Sequence, residues 1–258
     1  MSKIDYQIRF SQDSSDLRNQ EHFYFVRDGN EQKLVLQNYA EIYRIPLLYE
    51  QFCDKALYQS PETLAMLLAS QSVKSGFDLK SLVILDIAAG SGLFGKSIAQ
   101  YGVKSIVGVD IIPEAAQAAH RDYPGIYEKY YVEDLTAITP TAQSELANRG
   151  FNCLVCCSSL SCHFPIQGFI NSFNLIEDGG WIVFNVNTYI IEDLNNQESF
   201  EYRKAAKFGQ LYHQMLKAGI IEITSKHYYL HRRLTNGKAV DYVAITARKR
   251  RNIPENWQ

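Results

Sequence analysis

Residues 83–95 read VILDIAAGSGLFG, and this stretch decides the fold. Leu82–Ile87 is a short apolar run interrupted only by Asp86, the pattern of a strand buried on both faces of a parallel sheet. Gly90, Gly92 and Gly95 follow with G-x-G-x-x-G spacing, and a helix is expected from there to about Tyr101. Glycine spacing alone is a weak signal, because glycines are common in strand-to-helix turns. Its setting sharpens it: a buried strand precedes it, a helix follows, and a second strand, Ser105–Val109, ends at Asp110, about where an acidic ribose ligand stands in a nucleotide-binding βαβ unit.

Further along the chain the alternation repeats. Pro113 starts a helix through Ala119, and Tyr130–Val132 is a third strand. Thr141–Asn148 is helical, Asn152–Cys157 a fourth strand, and Ile166–Ile176 a helix. Asp178-Gly179-Gly180 turns the chain into a fifth strand, Trp181–Val186. Such alternation implies crossover connections and a doubly wound parallel sheet. A helix from about Ser199 to Lys217 follows. Ile220–His231 and Val240–Arg248 then flank Thr235-Asn236-Gly237-Lys238, and Asn-Gly between β-prone runs marks a hairpin. The expected fold is therefore α/β: a Rossmann-like, mostly parallel seven-stranded sheet ending in an antiparallel hairpin.

Upstream, residues 1 to about 20 are polar and read as frayed. His22–Val26 and Lys33–Leu36 flank Asp28-Gly29-Asn30 as a second hairpin. Tyr39 to about Tyr58 is aromatic and helix-like, broken by Pro46. Ser60-Pro61-Glu62 opens another helix with Ser60 as N-cap. The expected division is an N-terminal hairpin and helical lid over residues 1–74, and a catalytic domain over residues 75–258.

Two cofactor classes compete for the loop. A dinucleotide pyrophosphate wants the helix N-terminus directly after the strand, but here Ile87-Ala88-Ala89 separate Asp86 from Gly90. S-adenosylmethionine has no phosphate; its cationic amino group suits a carboxylate at the strand end, and small residues let the backbone pass close. At this point DIAAGSG resembles the first motif of class I S-adenosylmethionine-dependent methyltransferases, and VGVDII (107–112) resembles their second. VEDLT (132–136) resembles the third, and the terminal hairpin matches the family's reversed last strand. The likeness spans about residues 75 to 250; within the family it is nearest to small-molecule enzymes of the Williams–Beuren-region type. It implies S-adenosylmethionine as cofactor, with Asp86, Ala88, Ala89, Gly90 and Gly92 around its amino-acid end. Asp110 would take the ribose hydroxyls with Ile111 beside it, Asp134 the adenine amino group, and Leu135 the ring face. Ser158 would complete the site. Ala88 departs from the motif, which usually has glycine there.

In an open α/β sheet the ligand sits outside the carboxyl ends of the strands, so Cys157–His163 after the fourth strand face the transferred methyl group. His163 is the candidate general base, set against a histidine that only braces a loop. Tyr39, Tyr43 and Tyr49 are expected to fold over the open side, set against ordinary amphipathic packing. Asn185 and Asn187 end the fifth strand near the same mouth. On the tail hairpin His227, Tyr229 and His231 alternate with Lys226, Tyr228 and Leu230, so one set faces the substrate, with His227 a candidate pocket residue. Cys153, Cys156, Cys157 and Cys162 do not make a metal site, because neighbouring strand residues point to opposite faces and no second C-x-x-C pair exists.

Composition narrows the partners. Twenty-six Lys and Arg against 28 Asp and Glu give a net charge of −2, so no general attraction to nucleic acid is expected. Arg248-Lys249-Arg250-Arg251 reads as a solvated tail. No apolar run approaches the ~20 residues that cross a bilayer, and the first residues lack the apolar stretch of a secretory signal. An odd count of five cysteines fits a reducing, cytoplasmic setting. Seventeen Tyr and 13 Phe favour a flat or apolar small-molecule acceptor. The alternatives are a methyltransferase acting on protein or nucleic acid, a nicotinamide-dependent oxidoreductase, and a non-catalytic cofactor-binding protein. Oligomeric state is not legible.

Overall fold

The computed structural model describes residues 4–11, 20–162, 164–192, 200–254 and 257. Three strands open the chain, β1 (Gln7–Phe10), β2 (His22–Arg27) and β3 (Asn30–Val35), as an antiparallel sheet in that order. Asp28 and Gly29 join β2 to β3 at φ 50° and 75°. Two successive left-handed residues match the twist of a two-residue hairpin. β1 corrects the reading of this region as frayed: Gln7 pairs with Val26 and Phe10 with Phe23. Four residues are too few to show a period, and β1 exists because β2 offers an edge and Phe52 a ring 5.4 Å from Phe10.

Two short helices, α1 (Tyr39–Arg44) and α2 (Leu48–Lys55), follow and break at Pro46 as expected. Ile45 before the proline is extended, at φ −93° and ψ 123°, as the proline ring requires. The next helix, α3 (Ser60–Lys74), departs in one respect. Gln59 holds the cap position, and Ser60 is the first helical residue, fully buried with its hydroxyl engaged elsewhere.

The main sheet is built from β4 (Val83–Ile87), β5 (Ser105–Asp110), β6 (Lys129–Val132), β7 (Cys153–Cys156), β8 (Trp181–Asn187), β9 (Ile221–Arg233) and β10 (Ala239–Lys249). Its order is β6-β5-β4-β7-β8-β10-β9. Strands β4 to β8 run parallel, and β10 is antiparallel to both β8 and β9. Between them lie α4 (Leu93–Ala99), α5 (Pro113–Asp122), α6 (Pro140–Ala147), α7 (Ile166–Asn174), α8 (Thr188–Glu192) and α9 (Phe200–Lys217).

Each sheet face buries its own cluster. Ile84, Ile106, Val155 and Val183 meet Leu64 and Leu68 of α3 and Phe94 and Ile98 of α4. On the reverse face Leu85, Val107, Leu154 and Phe184 meet Phe169 and Phe173 of α7 and Tyr212 and Met215 of α9. The basic cluster is a solvated tail only in its second half, where Arg250 and Arg251 are exposed. Arg248 lies 3.5 Å over the Trp181 ring, and Lys249 is buried, its Nζ donating to the Ile176 carbonyl and to Asn252 Oδ1.

Strand order reverses around β4 and β7, which opens a crevice at their carboxyl ends. The N-terminal segment is fastened across this crevice to the tip of β9. Gln59 N–H donates to the His231 carbonyl at 3.0 Å and Arg233 N–H to the Ala56 carbonyl at 2.7 Å. Arg232 donates from both terminal nitrogens to the buried Glu21 carboxylate, at 2.8 and 2.6 Å.

Candidate active site

The crevice holds a cavity of about 320 Å³. Its floor is the loop between β4 and α4. Ala88 takes φ 52°, Gly90 57° and Gly92 93°, so the chain coils tightly and turns backbone outward. Gly90 lines the cavity, where a Cβ would come 2.8 Å from the Tyr43 hydroxyl. Gly92 and Gly95 do something else. A Cβ on either would strike the ring of Tyr127, at 3.0 and 2.9 Å, and so would one on Gly108 of β5. Gly92 and Gly95 therefore make room for Tyr127 under the loop, Gly108 makes room for both Tyr130 and Tyr127, and Tyr127 Oη donates to Asp86 Oδ2 at 2.7 Å.

Asp86 stands beneath the loop, 1% exposed, rather than in the cavity wall. Burial pushes its carboxyl up to about 7, the Tyr127 hydrogen bond opposes this, and Asp110 adds to it. The other oxygen, Oδ1, is buried without a hydrogen-bond partner. A buried carboxylate with one orphaned oxygen is costly, and a cationic group brought to the loop relieves that cost.

Asp110, at the end of β5, lines the cavity and accepts from Gly90 N–H at 2.9 Å and Ile112 N–H at 3.0 Å. Burial raises its carboxyl, and the backbone donors counter it. Beside it Ile111 is 62% exposed at the cavity wall. Leu135 is buried opposite, while Asp134 is exposed and held below the usual carboxylate range by the Thr136 hydroxyl and N–H. The orphaned Asp86 oxygen, the side-chain-free Gly90 and the apolar surface of Ile111 and Leu135 fit S-adenosylmethionine, with its ammonium, sulfonium-linked chain and flat base.

The roof is aromatic. Tyr39 stacks on Tyr43 with ring centroids 5.8 Å apart, and Tyr43 meets Tyr49 edge-on at 5.4 Å. All three line the cavity. At the far end Ser158 takes φ 64° after β7. It is bound to Tyr58 Oη at 3.0 Å and to Asn185. Asn185 is fully buried behind Ser158, and Asn187 is buried with its N–H on Ser161 Oγ, away from the cavity lining. His227 is exposed and does not line the cavity either. Two residues further along that face, Tyr229 reaches Ser60 and Asn185, and His231 lines the cavity. His163 lies outside the described residues; Cys162 and Phe164 beside it both line the cavity. Cys153 and Cys156 are buried within β7, and burial pushes the Cys157 thiol up to about 12, far from a reactive thiolate.

Tyr127, Tyr58 and Ser60 carry no motif, and sequence reasoning did not single them out as site residues. The one available signal for Tyr127 was the third glycine, Gly108, in a β-strand where glycine is disfavoured.

The seven-stranded sheet has a reversed penultimate strand, and a glycine loop lies between two strand-end carboxylates; this is the arrangement of the Rossmann-like methyltransferase fold. Residues 85–184 match the family described as a methyltransferase domain. The fold superposes on a SAM-dependent methyltransferase from Anabaena variabilis ATCC 29413 with a TM-score of 0.50, at 17% identity, covering 83% of this chain and 96% of that one. Cofactor-bound Rv0187 from MTB gives the same score at 13% identity, covering 75% and 81%. At such identities the likeness is one of fold. No curated protein matches this sequence. Residues 85–184 thus match a methyltransferase domain, and they sit within the fold of S-adenosylmethionine-dependent methyltransferases.

Proposed function

We propose that this enzyme methylates an oxygen or nitrogen of a small acceptor by direct in-line displacement. The observation that carries the reading is the cavity itself: about 320 Å³, roofed by Tyr39, Tyr43 and Tyr49 and walled by Phe52, Tyr58 and Tyr242. That volume lies at the low end of the roughly 300–1,000 Å³ of small-ligand sites, and its lining is largely aromatic and apolar. The net charge of −2 adds no general pull on nucleic acid.

When bound, S-adenosylmethionine supplies a methyl group on a sulfonium whose leaving group is neutral, so alignment and dryness account for most of the acceleration. This chain's residues divide that work. Asp110 holds the ribose hydroxyls, Ile111 and Leu135 sandwich the base, and Asp134 meets the adenine amino group. Ala88, Ala89 and Gly90 keep the floor thin above Asp86, whose charge favours the ammonium. The tyrosines of residues 1–74 act as a lid on the catalytic domain, residues 75–258, and exclude water. No helix among the described residues is long and apolar enough to cross a membrane. Five free cysteines support a reducing, cytoplasmic setting.

Tritiated S-adenosylmethionine incubated with the enzyme and a fractionated cell extract tests the substrate class. Label is expected in the small-molecule fraction; label confined to RNA or protein overturns it.

A further inference from the structure

Ser158 is held after β7 in a conformation that an L-residue disfavours. Its φ of 64° lies in the left-handed region, where a Cβ brings strain. One neighbour grips it twice. Ser158 N–H donates to Asn185 Oδ1 at 2.7 Å, and Asn185 Nδ2 donates toward Ser158 Oγ at 3.0 Å. Asn185 is fully buried in β8, the strand paired with β7. Strain that the surroundings over-determine in this way gathers at functional sites.

The directions of the hydrogen bonds leave one proton over. Burial pushes both the Tyr58 hydroxyl and the Cys157 thiol up, so both keep their protons. Tyr58 Oη donates to Ser158 Oγ at 3.0 Å, with Cys157 Sγ behind it at 3.5 Å. Asn185 Nδ2 has no lone pair to offer. Neither close neighbour of Ser158 Oγ therefore takes its proton. The remaining protein partner is Cys157 Sγ, a weak acceptor at 3.8 Å. Ser158, Tyr58 and Cys157 all line the cavity, so a lone pair brought into the cavity is the better partner for this hydroxyl. The donors already directed at Oγ polarise its O–H bond and strengthen it as a donor.

Position separates this donor from the cofactor. Asp134 and Leu135 follow β6, Asp110 and Ile111 stand at the end of β5, and Asp86 lies in β4. The base, ribose and ammonium are thus assigned in order along β6-β5-β4. The next strand is β7, with Cys156 paired to Ile87, and Ser158 comes two residues later. Beside it the cavity is walled by the rings of Phe52 and Tyr58.

We propose that Ser158 docks the methyl acceptor through its hydroxyl, so that the acceptor is a flat molecule carrying an oxygen that only accepts, as in a carbonyl group, near the atom that is methylated. The proposal rests on the methyltransferase reading above. Ser158 keeps its proton throughout; it orients the acceptor and makes or breaks no covalent bond.

Calorimetry with S-adenosylhomocysteine comes first, and failure at that step sinks the methyltransferase reading instead. Acetophenone and ethylbenzene share a flat ring and differ by one carbonyl oxygen. Each is titrated into the S-adenosylhomocysteine complex of the full chain and followed by ligand-observed NMR. In Ser158→Ala and Ser158→Gly, affinity for acetophenone is expected to fall about fivefold, while affinities for ethylbenzene and S-adenosylhomocysteine stay within about twofold of the parent. Glycine takes this φ without strain, so the second variant keeps the loop's shape while losing the hydroxyl. Acetophenone that does not bind the parent complex, that binds the glycine variant equally well, or that weakens no more than ethylbenzene overturns the proposal. A loss of S-adenosylhomocysteine affinity of about tenfold in the glycine variant gives the hydroxyl to the cofactor's carboxylate and overturns it as well.

Discussion

Ala88 occupies the left-handed region at φ 52°, which explains why glycine is usual at this point of the motif. An L-residue there bears roughly 1–2 kcal/mol of strain, partly offset by the greater freedom that glycine loses on folding. Ala88→Gly is expected to leave stability unchanged or raise it by up to about 1 kcal/mol in urea melts, and a clear loss contradicts this reading of the loop. Asp86 gives a sharper test. Its carboxyl is raised to about 7 in the folded chain, so between about pH 4 and 7 the folded state binds a proton that the unfolded state has released. Its contribution to stability is thus fully present at low pH and is lost as pH rises through about 7. Without cofactor, Asp86→Asn should flatten that part of the pH profile. At pH 8 it should be more stable than the parent by on the order of 2–4 kcal/mol, yet bind S-adenosylhomocysteine at least about tenfold more weakly. Tyr127→Phe removes the hydrogen bond that opposes burial, so Asp86 should titrate above about 7 and affinity at pH 7 should fall about tenfold, recovering as pH is raised. Equal affinity of parent and variant across pH 6 to 9, measured by calorimetry, contradicts the role given to Tyr127.

At the level of elements, the N-terminal sheet and the tail hairpin act on each other through one buried ion pair. Glu21 is fully buried and accepts from Arg232 and from Thr235 N–H. Removing one partner of such a pair leaves an uncompensated charge, at a cost of about 3–5 kcal/mol. Glu21→Gln should lower stability by that order in urea and loosen the cavity wall at Arg232; a loss under about 1 kcal/mol contradicts the coupling. Sequence reasoning read the parallel strands and the closing hairpin well, because buried runs bounded by Gly and Pro are local signals. The same local view expected Ser60 to cap α3. The hydroxyl is spent on His231, 171 residues away, and no local pattern encodes a partner at that distance. His227 and His231 share a face of β9 by alternation. Only the register shift opposite Val240 and Asp241, and the anchoring of residues 231–233 to residues 56–59, bring His231 to the cavity and leave His227 outside.

For the whole molecule, the placement of Gly90 and Asp110 at the crevice was legible because the mouth of a sheet's switch point is built from contiguous loops, while Asp86, expected there too, lies beneath the loop. The roof and far wall were only partly legible, because they are assembled from residues 37–61 and 229–242, which meet through tertiary packing. Every role assigned above depends on the crevice between β4 and β7 receiving an adenosyl sulfonium rather than a pyrophosphate. Isothermal titration of the full chain with S-adenosylhomocysteine and, separately, with NAD and NADP tests this most directly. The account predicts one S-adenosylhomocysteine per chain, with a rise in melting temperature that follows its concentration, and no heat from either dinucleotide. Saturable binding of NAD or NADP with none of S-adenosylhomocysteine would contradict it.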